Sequence, residues 1–143
     1  MTIVLDAYAL IAAARGEPAA AEVESLLRSG DCAISAVNLA ETIDVLCRLG
    51  GGAIEEVARL VAPLVAGHLS VRPVDEETAW RAGAIRARHY SKRAPLSLAD
   101  AFLLAAAEPG DEVATSDPDV AATARELELG LVPLPDSSGR APS

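Results

Sequence analysis

The stretch Thr2-Ile3-Val4-Leu5-Asp6-Ala7-Tyr8-Ala9-Leu10 decides how the rest of the chain is read. Ile3, Val4 and Leu5 form a short unbroken apolar run, the pattern of a strand buried on both faces. Asp6 ends that run, and from Tyr8 and Leu10 onward the spacing suits a helix over residues 7–14. Asp6 therefore stands where a buried strand becomes a helix, a place where open α/β sheets bind ligands. The plainer role for an aspartate there is to cap the helix. What decides between the two is whether other acids recur in equivalent places.

Outward from this stretch, Cys32-Ala33-Ile34, residues 69–73, residues 112–115 and Leu131-Val132 read as four further strands. Helices are predicted from Pro18 to about Arg28, over 36–49 behind Ser35, over 53–66, from Asp75 and Glu76 to about Tyr90, and over 98–107. A last one starts at Asp117-Pro118 and is ended by Gly130. Pro63 is expected to kink or shorten the helix over 53–66. Strands separated by helices give a parallel sheet with helices on both faces. Two helices between the second and third strands, and two more before the fourth, exceed what a crossover needs. The surplus predicts a helical lobe beside the sheet edge, able to wall a groove. One domain is expected over residues 1–134, with the Pro/Gly/Ser-rich segment 135–143 as a disordered tail.

Composition narrows the class. With 143 residues and 51% apolar content the chain can bury a core. No run is long enough for a membrane helix. No signal peptide is evident at the N-terminus, so a cytoplasmic protein is expected. Cys32 and Cys47 sit in apolar patterns and read as reduced core residues. The net charge of −9 argues against nucleic acid when taken alone. The distribution is uneven, however: Arg81, Arg86, Arg88, Lys92 and Arg93, five of the twelve basic residues, fall in one stretch with His89. Such a run is either a solvated helix face or a surface for phosphates.

Four acids recur in one kind of setting. Asp6 follows the first strand and Asp117 the fourth. Glu41 lies two turns into the helix after the second strand, and Asp100 lies in the first turn of a helix opened by Ser97. The C-terminal ends of parallel strands share one edge, so Asp6 and Asp117 are expected to face one crevice. Nothing in the spacing brings Glu41 and Asp100 to them. Each acid also has an ordinary reading. Asp117 before Pro118 is a good N-cap, Ser97-Leu98-Ala99-Asp100 is close to a capping box, and Glu41 lies opposite the Leu39/Ile43/Leu46 stripe, where it could simply be solvated.

As an ordered set, the segments Ile3-Val4-Leu5-Asp6-Ala7-Tyr8-Ala9-Leu10, Ile34-Ser35-Ala36-Val37-Asn38-Leu39-Ala40-Glu41, Leu96-Ser97-Leu98-Ala99-Asp100-Ala101 and Val113-Ala114-Thr115-Ser116-Asp117 resemble the PIN-domain nucleases, in particular the small VapC-like toxins of bacterial toxin–antitoxin pairs. The resemblance runs along about residues 2–133. It implies a PIN-like α/β fold with a central five-stranded parallel sheet. It also implies that Asp6, Glu41, Asp100 and Asp117 are the catalytic and metal-binding acids of a ribonuclease. A cognate antitoxin protein is implied as partner, and a homodimer as the assembly.

The chemistry of the residues agrees with that implication. Clustered carboxylates repel, by about 4 kcal/mol for two charges 4 Å apart at an effective dielectric of 20, unless a cation neutralises them. Oxygen donors without His or Cys select hard ions, so Mg²⁺ or Mn²⁺ is expected. Asp119 could share the metal role, and Ser35, Asn38 and Ser116 could support the carboxylates by hydrogen bonds. His68 and His89 are remote from the acidic motifs in sequence. Two other classes compete. A phosphoacceptor receiver domain wants an acidic pair right after the first strand and a lysine after the last, whereas the only lysine here is Lys92; a dehalogenase-type phosphatase wants Asp-x-Asp, and the chain has Asp6-Ala7-Tyr8. A non-catalytic binding module, with the acids as caps, is the remaining alternative.

Overall fold

The computed structural model describes all 143 residues. Five strands form one sheet: β1 (Ile3–Leu5), β2 (Cys32–Ser35), β3 (Leu69–Arg72), β4 (Glu112–Thr115) and β5 (Gly130–Pro133). Their order is β3-β2-β1-β4-β5 and every pairing is parallel. The chain therefore works outward from β1 to one edge, then crosses back to lay β4 on the other side. The topological switch point lies between β1 and β4, where the flanking connections diverge and leave a crevice at the C-terminal strand ends.

Seven helices cover the sheet: α1 (Ala7–Arg15), α2 (Ala20–Ser29), α3 (Ala36–Leu49), α4 (Ile54–His68), α5 (Glu76–His89), α6 (Leu98–Ala106) and α7 (Pro118–Glu126). Alternation along the strands sorts the core into two layers. Val4 and Val113 point to the face packed by α5, α6 and α7, through Ala82, Leu103, Leu104 and Val120. Leu5, Ile34 and Ala114 point to the other face, against Leu10 of α1 and Val23 and Leu27 of α2. The predicted lobe is there as well: α3 and α4 pack on each other through Leu46, Val57 and Val61. No helix is long and apolar enough to cross a membrane, and Cys32 and Cys47 are both free.

Some boundaries differ from the sequence reading, each for a local reason. Pro63 does not shorten α4, which runs through it to His68. Pro63 is solvent-exposed, so water can satisfy the carbonyl that loses its helical donor. Gly130 does not terminate α7, which stops at Glu126; Glu128, at φ 60, makes the reversal instead. Gly130 begins β5, where an added Cβ would stand 2.6 Å from Glu112 Cγ on β4 and would require that side chain to shift. Beyond β5, Leu134 is buried, and Asp136 Oδ1 accepts the N–H groups of Ser138 and Arg140 in a turn.

Candidate functional site

At the switch point the structure gathers Asp6, Glu41, Asp100 and Asp117 around one cleft of about 240 Å³, together with Tyr8, Asn38 and Ser116. Four separate elements supply the acids. Asp6 terminates β1, where the strand ladder still holds its N–H on the Ala114 carbonyl at 3.2 Å. Asp117 follows β4, Glu41 rides on α3, and Asp100 on α6. A larger hollow of about 390 Å³ beside α5 and α6 holds Arg81 and Glu128 but no grouping of this kind.

The capping roles are real. Ala9 N–H donates to Asp6 Oδ1 at 2.8 Å. Asp119 and Val120 N–H donate to Asp117 Oδ1 at 2.8 and 3.4 Å. Asp100 completes a capping box: Ser97 Oγ accepts its N–H, and Asp100 Oδ2 accepts the N–H of Ser97, both at 3.0 Å. In each aspartate the capping geometry engages one carboxylate oxygen. The cap thus fixes the carboxylate's orientation at a helix start without engaging its second oxygen, so capping and ligation are compatible uses of one side chain.

Electrostatics mark the same residues. Asp6 is only 8% exposed, and burial pushes its pKa up to about 6. The Thr115 hydroxyl and the Ala9 and Ser116 N–H groups act in the opposite direction, while the charge of Asp100 raises it further. Asp100 is also raised, first by burial; its Ser97 hydrogen bonds oppose this, and the charges of Asp117 and Asp119 add to it. Glu41 is raised by burial, then lowered by the Asn38 side chain and raised by Asp100 and Asp44. Each of these acids thus sits in the field of another, and the protein alone supplies no cation among them: the lining contains neither Lys nor Arg. That lining also lacks the lysine a phosphoacceptor site needs.

The supporting residues divide. Asn38, 2% exposed, donates Nδ2 to the Ala99 carbonyl at 3.1 Å, while its Oδ1 is buried without a partner. Ser116 lines the cleft; Ser35 does not, and caps α3 through the Val37 N–H at 3.3 Å. Asp119 is not in the lining but lies close enough to raise Asp100. His68 ends α4, and His89 Nδ1 meets Glu126 at 3.0 Å, so neither histidine faces the cleft.

Two contributors escape the sequence reading. Tyr8 lines the cleft and has a buried, unpartnered hydroxyl. Thr115 Oγ1 accepts the Asp117 N–H at 3.1 Å while bonding Asp6, a link visible only once β1 and β4 are known to be neighbours. The basic stretch is also less free than its sequence implies. Arg86 Nε donates to the Leu96 carbonyl at 3.0 Å and stacks 4.7 Å over Tyr90, and Arg81 pairs with Glu108 at 3.8 Å. Arg88, Lys92 and Arg93 remain exposed.

A sequence model of the PIN domain matches residues 3–126. No curated protein sequence matches the chain. Among solved structures, the chain is similar to VapBC2 from Rickettsia felis bound to a DNA fragment from its promoter, at 16% identity and TM-score 0.67 over 92% of this chain and 98% of that one. It is similar to FitAcB from Neisseria gonorrhoeae at 26% identity and TM-score 0.63, over 91% and 96%. A toxin–antitoxin complex from Klebsiella pneumoniae matches at 20% identity and TM-score 0.53, over 91% and 83%.

Proposed function

We propose that this chain, which belongs to the PIN domain family, is a divalent-metal-dependent endoribonuclease and the toxin of a toxin–antitoxin pair. The observation that carries the reading is the convergence of Asp6, Glu41, Asp100 and Asp117 on one cleft at the switch point of the sheet. Burial and mutual repulsion hold three of them above the ordinary carboxylate range, a cost that a bound cation would reverse.

The residues fit a hard ion. All four donors are carboxylates, and Asn38 adds a buried acceptor oxygen without a partner. No three of the chain's His, Cys, Asp or Glu side chains are gathered tightly enough to chelate an ion by themselves. Mg²⁺ or Mn²⁺ would not need a tighter cluster, because they keep several waters and take only one or two carboxylates directly. Bound there, the ion supplies positive charge to the scissile phosphate and acidifies water. The chain's own part is to hold the carboxylates in place. Asp6 and Asp117 are fixed by their caps at the two strand ends, Asp100 by its box with Ser97, and Glu41 by α3. Asn38 and Ser116 offer hydrogen bonds to water at the cleft wall. Lys92 and Arg93, in the connection leading into α6, would meet RNA phosphates and offset the net negative charge locally.

The reading extends to a cognate antitoxin in the cytoplasm, supported by the toxin–antitoxin complex of the same fold. An acidic cleft favours an antitoxin segment that presents Arg or Lys to it. It extends also to a second copy of the chain. The test is incubation of the pure protein with total cellular RNA, followed by mapping of new ends. Cleavage with Mg²⁺ or Mn²⁺, abolished by EDTA and by Asp6→Asn, is expected. Cleavage that persists in EDTA or in a folded Asp6→Asn protein would overturn it.

A further inference from the structure

The acidic cleft is not polar throughout. Four of its lining residues are apolar: Ala7, Tyr8, Ile11 and Val45. They come from two helices only, α1 and α3. Ile11 stands three residues after Tyr8 and four after Ala7, so the three share one face of α1. Val45 stands four residues after Glu41 and continues the face of α3 that carries this acid. Buried Thr42 marks the seam between the helices. Its Oγ1 donates to the Asn38 carbonyl at 2.8 Å and lies 3.5 Å from the Ala7 carbonyl. An apolar shelf thus stands beside the carboxylates and is built into the packing of α1 on α3.

Tyr8 is the one aromatic residue in the lining. It is half-buried, and its hydroxyl is the buried end. The side chain can therefore meet the cleft only with its carbons. What suits such a surface is set by the charges around it. The lining holds no Lys or Arg, so no side chain there attracts a phosphate, and the acids repel one until a cation intervenes. A nucleobase is different: it carries no charge, its faces are apolar, and aromatic side chains stack on it whatever its identity. A base is also only one ribose away from its phosphate. With the scissile phosphate at the carboxylates, a base next to it falls inside the same cleft of about 240 Å³.

We propose that Tyr8 is a substrate-positioning residue, whose ring, flanked by Ile11 and Val45, stacks on a nucleobase of the strand beside the scissile phosphate. The proposal rests on the ribonuclease reading given above. Because stacking tolerates every base, Tyr8 sets where the strand lies and not which sequence is cut.

The experiment compares wild type, Tyr8→Phe and Tyr8→Leu. Its probe is a short RNA that copies a cut site mapped in total cellular RNA, with 2-aminopurine in place of the base on one side of the cut or the other. Stopped-flow mixing in Mn²⁺ reads the 2-aminopurine emission within milliseconds, ahead of turnover at about 10 s⁻¹ for a median enzyme. Wild type and Tyr8→Phe should quench the emission at one of the two positions and share one KM. Tyr8→Leu keeps an apolar side chain without a ring. It should lose the quenching and raise KM at least about fivefold, with kcat and the Mn²⁺-induced shift in melting unchanged. The absence of any cut site in total RNA would overturn the ribonuclease reading and this proposal with it. Cleavage by wild type without quenching at either position would overturn the proposal whatever the variants do, and leave the ribonuclease reading standing. The same holds if Tyr8→Leu matches wild type in KM and quenching, or if Tyr8→Phe is as impaired as Tyr8→Leu. Unchanged RNA constants in a Tyr8→Leu chain that no longer retains a copurifying protein would assign the shelf to a protein segment instead.

Discussion

Asn38 on α3 donates its Nδ2 to the carbonyl of Ala99, the residue before Asp100, at 3.1 Å. This one hydrogen bond ties the helix that carries Glu41 to the helix that carries Asp100, across 61 residues of sequence. Asn38→Ala leaves the Ala99 carbonyl without its donor. A loss of about 1–3 kcal/mol in stability is expected, read as a drop of several degrees in thermal melting, together with weaker Mn²⁺ binding. An unchanged melt and an unchanged metal affinity would show that the tie does not organise the cleft.

Stability should depend on pH through Asp6. Its folded pKa is raised to about 6, so between about pH 4 and 6 the folded chain holds a proton that the unfolded chain has released. The stabilisation is complete below the unfolded pKa and is lost as pH rises through 6, by up to about 3 kcal/mol for a shift of this size. Asp100 and Glu41 are shifted in the same direction. In EDTA, urea denaturation of wild type against Asp6→Asn should show the difference growing in the variant's favour from pH 4 to 7. A constant difference across that range would contradict the burial of an ionising Asp6.

The basic stretch divides into a structural part and a free part. Arg86→Met should destabilise the chain, because it removes the donor to the Leu96 carbonyl just before the Ser97 cap. Lys92→Glu with Arg93→Glu should leave melting nearly unchanged and weaken RNA binding. The salt slope should fall by about 1.4, at roughly 0.7 per phosphate contact on single strands. Equal RNA binding and an equal slope in the double variant would assign the stretch to solvent alone.

How far the sequence reaches can be seen at particular residues. The shared crevice of Asp6 and Asp117 follows from parallel strands alone, and the five-stranded parallel sheet bears out the reading of strands separated by helices. The arrival of Glu41 and Asp100 does not follow from spacing, because it depends on how α3 and α6 cross, a tertiary matter settled by packing and by Asn38. A run of arginines does not reveal which one turns inward; Arg86 does, with Tyr90 beneath it. Cap and ligand read as rivals in the sequence because it does not show that capping engages one oxygen of a carboxylate. Pro63 was misleading for the opposite reason, since an exposed helix face tolerates a lost backbone bond that a buried one does not.

The central claim is that carboxylates that cap helices also hold a divalent ion. Asp and Asn cap helices about equally well, so Asp6→Asn and Asp117→Asn keep the caps and remove one charge each. The measurement is thermal melting of wild type and both variants, in EDTA and in Mn²⁺. In EDTA the variants should be as stable as wild type or more so, because a repelling charge is gone. With Mn²⁺ at 100 times its dissociation constant, wild type should gain about 2.7 kcal/mol, and the variants should lose most of that gain. Equal metal-induced shifts in all three proteins would mean that Asp6 and Asp117 are caps and nothing more.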